Sequence, residues 1–126
     1  MIEIFLERAN QLSEALKLVQ DDRPYAAAIA LLSVHTAIAL NDALLVKLGG
    51  RVARSDDHMS SVRETAKRCK AKGLDDSGIE QLRKLISAKS AVSYGTRPVT
   101  FEAAKILSTA SERFQAWAYK RLKEMA

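Results

Sequence analysis

Cysteine is almost missing from this chain: 126 residues hold one, Cys69. An internal disulfide is therefore excluded, the fold must rest on a buried core, and a reducing cytoplasm suits such a sequence. Histidine is nearly as scarce. His35 and His58 are the two, and no Glu-x-x-His pair accompanies them. A carboxylate-bridged di-iron bundle is thus unsupported, and one cysteine with two distant histidines does not make a zinc site. No metal and no cofactor is expected. Glycine (5) and proline (2) are too few to break the chain often, so long helices can form. A Gly-rich phosphate loop and a nucleophile elbow are both missing. The opening MIEIFLERANQLSEAL has no basic region ahead of an apolar block, so no signal peptide is expected.

What is present is an ordinary globular composition, 48% hydrophobic, of a length that fits one domain over 1–126. The excess of 20 basic over 15 acidic residues gives +5, which favours nucleic acid or acidic partners without demanding them. One segment, 25–48, is apolar enough to raise the question of a membrane. His35, Asn41 and Asp42 lie inside it, and such groups are costly in lipid, so a buried central helix is expected and no membrane contact.

Apolar residues recur at three- and four-residue spacing throughout, and nothing reads as a strand or a repeat. The first helix is expected over 2–19. A turn at 20–23 and Pro24 in a first-turn position open the second, which Gly49-Gly50 stops near 48. Its many alanines let neighbours approach on several sides, which suits the centre of a bundle. A mobile loop is expected over 51–57, a third helix over 57–72 ended by Gly73, and a fourth over 77–94 capped by Asp75 or Asp76. Thr100 is a good N-cap for the fifth, whose inward arc should include Ala103, Ile106, Leu107, Phe114 and Trp117. Cys69 aligns with Met59, Val62 and Ala66 and reads as a small core residue. Short connections make antiparallel neighbours, so the expected architecture is an all-α, up-and-down four-helix bundle with a fifth helix.

Against that background Lys89 is out of place. It falls near the middle of the apolar stripe Ile79, Leu82, Leu85, Ile86, Val92, where an ammonium needs a partner, an interface or a solvated groove. Tyr94 follows five residues later, at the helix end. His35 and Asp42 are seven apart and project from one side of the second helix. They read either as satisfied structural polars or as partners of Lys89 across the bundle. Arg63, Lys67 and Lys70 form a basic stripe on the third helix, either a solvated face or a contact for an RNA backbone.

The runs AAAIALLSVHTAIALNDALL and QLRKLISAKSAVSYGTRPVT, followed by EAAKILSTASERFQAWA, resemble the HEPN superfamily over roughly residues 26–118. The resemblance implies a small helical bundle, commonly dimeric. Many members are metal-independent ribonucleases of toxin–antitoxin and defence systems, and others partner nucleotidyltransferases or act as non-catalytic binding modules. The ribonuclease signature is an arginine, four to six residues, then a histidine, two copies of which meet across the dimer. Lys89 and Tyr94 stand at those positions. Lysine neutralises a phosphate without the bidentate fork, and a tyrosine with a pKa near 10 is a poor general base at pH 7. The expectation is therefore a cytoplasmic homodimer that binds RNA, a nucleotide or a partner protein (a nucleotidyltransferase or an antitoxin) and whose nuclease chemistry is lost or weakened. Lys89, Tyr94, His35, Asp42, Arg63, Lys67 and Lys70 are its candidate binding residues. An active ribonuclease using Lys89 and Tyr94, or His35 in place of the missing histidine, is the alternative; a purely structural homodimer or adaptor is the third.

Overall fold

The computed structural model describes residues 1–52 and 57–126, and these are all-helical: five α-helices, with no strand among the described residues. They are α1 (Ile2–Val19), α2 (Ala26–Lys47), α3 (His58–Ala71), α4 (Ile79–Tyr94) and α5 (Phe101–Glu124). Of the loop expected over 51–57, residues 53–56 lie outside the described residues.

The centre is α2. It packs against all four other helices, and 13 of its 22 residues are buried. Its apolar side chains point to most sides, with Ile29, Val34, Leu40, Leu44 and Leu45 fully enclosed, and the side bearing His35 and Asp42 is partly open to water. This helix is long and apolar enough to cross a membrane, yet 67% of that apolar window is covered by the rest of the chain. The polar groups carried into the core find partners there. Ser33 and Thr36 donate to the carbonyls one turn back, at 2.7 and 2.6 Å, and the Ser111 hydroxyl of α5 donates to Ser33 O at 2.8 Å. Asn41 accepts from the Thr65 hydroxyl of α3 at 2.8 Å. Each such bond removes a desolvation penalty of about 1–3 kcal/mol that an unmet group would impose.

Helix ends follow local chemistry in most places. Gly49 (φ 84°) ends α2 and Gly73 (φ 68°) ends α3, both in the left-handed region that favours glycine. Each closes with the same pair of bonds, Gly49 N–H to Val46 O with Gly50 N–H to Leu45 O, and Gly73 N–H to Lys70 O with Leu74 N–H to Cys69 O. Asp57 caps α3 through Ser60 N–H (3.1 Å) and Thr100 caps α5 through Ala103 N–H (3.1 Å). Cys69 is fully buried, as its alignment implied, and burial raises its thiol pKa.

Three expectations need correction. The second helix does not run from Pro24: Arg23–Tyr25 is a 3-10 turn and the α-helix begins at Ala26. Neither Asp75 nor Asp76 caps α4, whose N-cap is Gly78 with no side-chain bond. The Asp75 carboxylate is occupied instead by Ser77 N–H (3.0 Å), the Ser77 hydroxyl (2.8 Å) and Arg121 Nη1 (2.8 Å). Ala103 and Ile106 are exposed, whereas Ser108, Ser111 and Arg121 of α5 are buried. Ala103 lies about five turns from Arg121 on the same side of the helix, but at that end the side borders an open hollow and not the core.

Arg121 is 3% exposed and bridges Asp75 to Glu124. Both carboxylates keep water access, so one buried cation is held by two anions at its edge. The neighbouring Trp117 indole donates to Asp75 O at 3.1 Å and packs on Phe114, with ring centroids 5.7 Å apart. Gly78 approaches this indole so closely that a Cβ there would overlap the ring. The indole is anchored at its nitrogen and cannot swing away. Gly78→Ala should therefore destabilise the protein by about 1–3 kcal/mol, the more so because alanine is a poorer N-cap than glycine. A lowered urea midpoint with unchanged m checks this, and an unchanged midpoint would show that the Trp117 anchor yields.

Candidate functional site

Apolar spacing sets α4 against the core along its first half and lets it leave the core along its second. Ile79, Leu82 and Leu85 are buried, whereas Ile86, Lys89 and Val92 are only half-buried. Lys89 thus continues the stripe geometrically but sits at the rim of the bundle, where its ammonium can reach water. Its Nζ lies 5.7 Å from the centroid of the Tyr94 ring, one turn further on, and that ring is 74% exposed. A cation over an exposed aromatic face is attracted by about 0.5–1 kcal/mol, enough to bias both side chains toward one arrangement.

Opposite this pair lies the first turn of α3. Together they line a shallow hollow of about 300 Å3, with Lys89, Tyr94 and Ser90 on one wall, Asp57 and His58 on the other, and Met59 and Ile86 at its base. The N-terminal end of α3 adds the positive pole of its dipole, which Asp57 offsets while capping it. His35 stands behind the hollow, half-buried in α2. Its pKa is lowered first by burial, then by the Lys89 charge, then by His58. At neutral pH it is therefore an uncharged imidazole beside an ammonium.

The chain fold thus brings Lys89, Tyr94 and His35 to one place and adds His58. Asp42 goes elsewhere. Burial raises its carboxyl pKa to about 6, and the charge that opposes this is Arg8 of α1. Arg63, Lys67 and Lys70 are exposed along α3 and do not line the hollow, while Arg68 beside them is tied to Glu64 (2.6 Å) and Leu48 O (3.3 Å). Sequence reasoning weighed His58 only as a metal ligand. Its position directly after the helix-capping Asp57 fixes it in a first turn, but nothing local says which helix that turn will meet. Among the described residues no group of three or more His, Cys, Asp or Glu could hold a metal.

Chemically, the hollow offers the Lys89 ammonium, an exposed ring, the Asp57 carboxylate and the His58 imidazole, with the neutral His35 imidazole close by in α2. Compared with protein-family models and with curated proteins, the chain matches none.

Two titrations test this electrostatic picture. Lys89→Ala should raise the His35 pKa measured by NMR, yet leave it below the ordinary 6.5, because burial is the larger cause. Full recovery to 6.5 would mean that the ammonium, not burial, keeps this imidazole neutral. For Asp42 the unfolded carboxyl titrates near 3.8 and the folded one near about 6. Between those values the folded state holds the extra proton, so the Asp42 contribution to stability falls as pH rises and its full cost is felt above about pH 6. Asp42→Asn should accordingly gain about 1–2 kcal/mol at pH 7 and nothing below pH 4, read from urea unfolding at both values. A gain of equal size at both would assign the effect to packing.

Proposed function

We propose that this protein is a HEPN-like, dimeric helical bundle that binds RNA or a nucleotide without cleaving it, in a toxin–antitoxin or defence-type system. An adjacent nucleotidyltransferase or an antitoxin is the kind of protein it would work with. The Lys89–Tyr94 pair carries this reading. A phosphate placed at the Lys89 ammonium lies within reach of the exposed Tyr94 ring, on which an unpaired base can stack. The flanking imidazoles of His58 and His35 add hydrogen-bond capacity, and protonation of either adds charge.

The ribonuclease reading is favoured by one observation, the neutral His35 imidazole close to Lys89. An uncharged histidine is a competent general base, and a lysine beside it can steady phosphate charge. Binding remains the stronger reading because Tyr94 occupies the signature position and His35 is set back in α2.

Labelled single-stranded RNA incubated with the protein in EDTA separates the two. Intact RNA should be retarded. Tyr94→Ala should weaken binding by about 5- to 100-fold, the equivalent of about 1–3 kcal/mol of lost stacking, while Tyr94→Phe should retain most of it. Lys89→Ala should reduce the dependence of log K on log salt by about one. Cleavage by the wild type that disappears in Lys89→Ala and His35→Ala would replace this proposal with the ribonuclease. Retardation equal in all variants would remove the site altogether.

A further inference from the structure

A hollow larger than the one at Lys89 lies on another face of α4, in the trough between that helix and α5. It has a volume of about 630 Å3, and it adjoins a second hollow of about 260 Å3 through the shared side chain of Ile106. On α4 its wall is Gln81, Lys84, Ala88, Ala91 and Gly95; on α5 it is Ala103, Ile106, Ala110 and Arg113. Each set follows three- and four-residue spacing, so each is one continuous helix face. From Gln81 to Gly95 the trough runs about 20 Å, nearly four turns of helix at 1.5 Å per residue.

Its chemistry is one-sided. Ile106, a large apolar residue at the junction of the two hollows, is 59% exposed, and alanines on both walls leave room for a backbone to come close. Lys84, Arg97, Lys105 and Arg113 line it, and no acidic residue does. Lys105 is engaged with Asp21 at 2.8 Å, but Lys84, Arg97 and Arg113 make no ion pair among the described residues.

We infer that the α4–α5 trough is a docking groove for an amphipathic helix of a partner protein, with an apolar face and acidic flanks. An elongated apolar floor suits a helix laid along it better than a compact ligand. Unpaired cations along the walls call for acidic flanks. A second copy offering the same face would set these cations against themselves, and like charges apposed across an interface disfavour it. Nucleic acid would use the cations but leave the floor unmatched, since no aromatic ring lines the trough for a base to stack on.

The test uses the full chain and a fluorescent, side-chain-stapled helical peptide of four turns, with leucines on one face and glutamates flanking them. A control peptide carries lysines in place of the glutamates. The glutamate peptide should bind at least tenfold more tightly than the control by fluorescence anisotropy. Ile106→Asp, at a position too exposed to disturb the core, should weaken it about tenfold or more, and the Lys84→Glu/Arg113→Glu variant should reverse the preference between peptides. RNA retardation should be the same for wild type and Ile106→Asp, which separates this groove from the Lys89 hollow. Equal affinity for the two peptides, no binding of either, or wild-type binding by Ile106→Asp would overturn the assignment. A concentration-dependent dimer in sedimentation that Ile106→Asp abolishes would also overturn it, giving the groove to a second copy.

Discussion

Burial of α2 is the constraint on which the rest of the protein depends. A helix with apolar residues on every side cannot rest on a surface, so α1, α3, α4 and α5 must each take a share of it. That demand explains the polar chemistry inside as much as the apolar packing. Ser33 and Thr36 satisfy their hydroxyls on their own helix, whereas Asn41 needs Thr65, and the Ser33 carbonyl receives Ser111. These interhelical bonds specify which turn of α3 and α5 lies beside which turn of α2. Hydrophobic contact alone would permit sliding by a turn; a buried amide missing its hydroxyl partner would not.

The same constraint sends α4 on its course. Its first half is buried in the core through Ile79, Leu82 and Leu85, and beyond Leu85 it packs only at the rim, through half-buried Ile86, Ala88 and Val92. There the helix can present different chemistry on different faces. Lys89, Ser90 and Tyr94 look toward the first turn of α3, while Ala88, Ala91 and Gly95 border the trough against α5. Two surfaces with separate characters, one cationic and aromatic, one apolar with a basic rim, therefore share a single element. A ligand on one would restrain the helix that forms the wall of the other.

Much of this was legible in the chain because it is local. The spans of α1, α3 and α5, the glycine stops at Gly49 and Gly73 and the Thr100 cap all follow from spacing and end chemistry within a few residues. The misjudged features are those that long-range contacts decide. Asp75 looks like a helix cap until Arg121, 46 residues later, claims its carboxylate. Arg121 is not among the residues expected on the inward arc of α5, and only the fold shows it enclosed. At the candidate site, Lys89 stood out because a charge interrupted an apolar stripe. His58 did not stand out, since its significance lies in the meeting of two helix ends that are remote in sequence.

Whether such a site binds or cleaves turns on where its proton acceptor sits relative to its charge. The hollow is lined by the Lys89 ammonium and the Tyr94 phenol, which between them can hold a phosphate and a base, and also by the Asp57 carboxylate and the His58 imidazole, both of which have a proton-accepting atom. A further imidazole, that of His35, is half-buried in α2 outside this lining, and its pKa is lowered chiefly by that burial. Burial that keeps the imidazole uncharged also limits its reach to a substrate. His35 is not among the residues that line the hollow, so the hollow would have to extend toward α2 for it to act. On the proposed binding reading, Lys89 and Tyr94 hold the ligand and His35 stands back from it; cleavage would have to fall to His58, the imidazole that lines the hollow beside them.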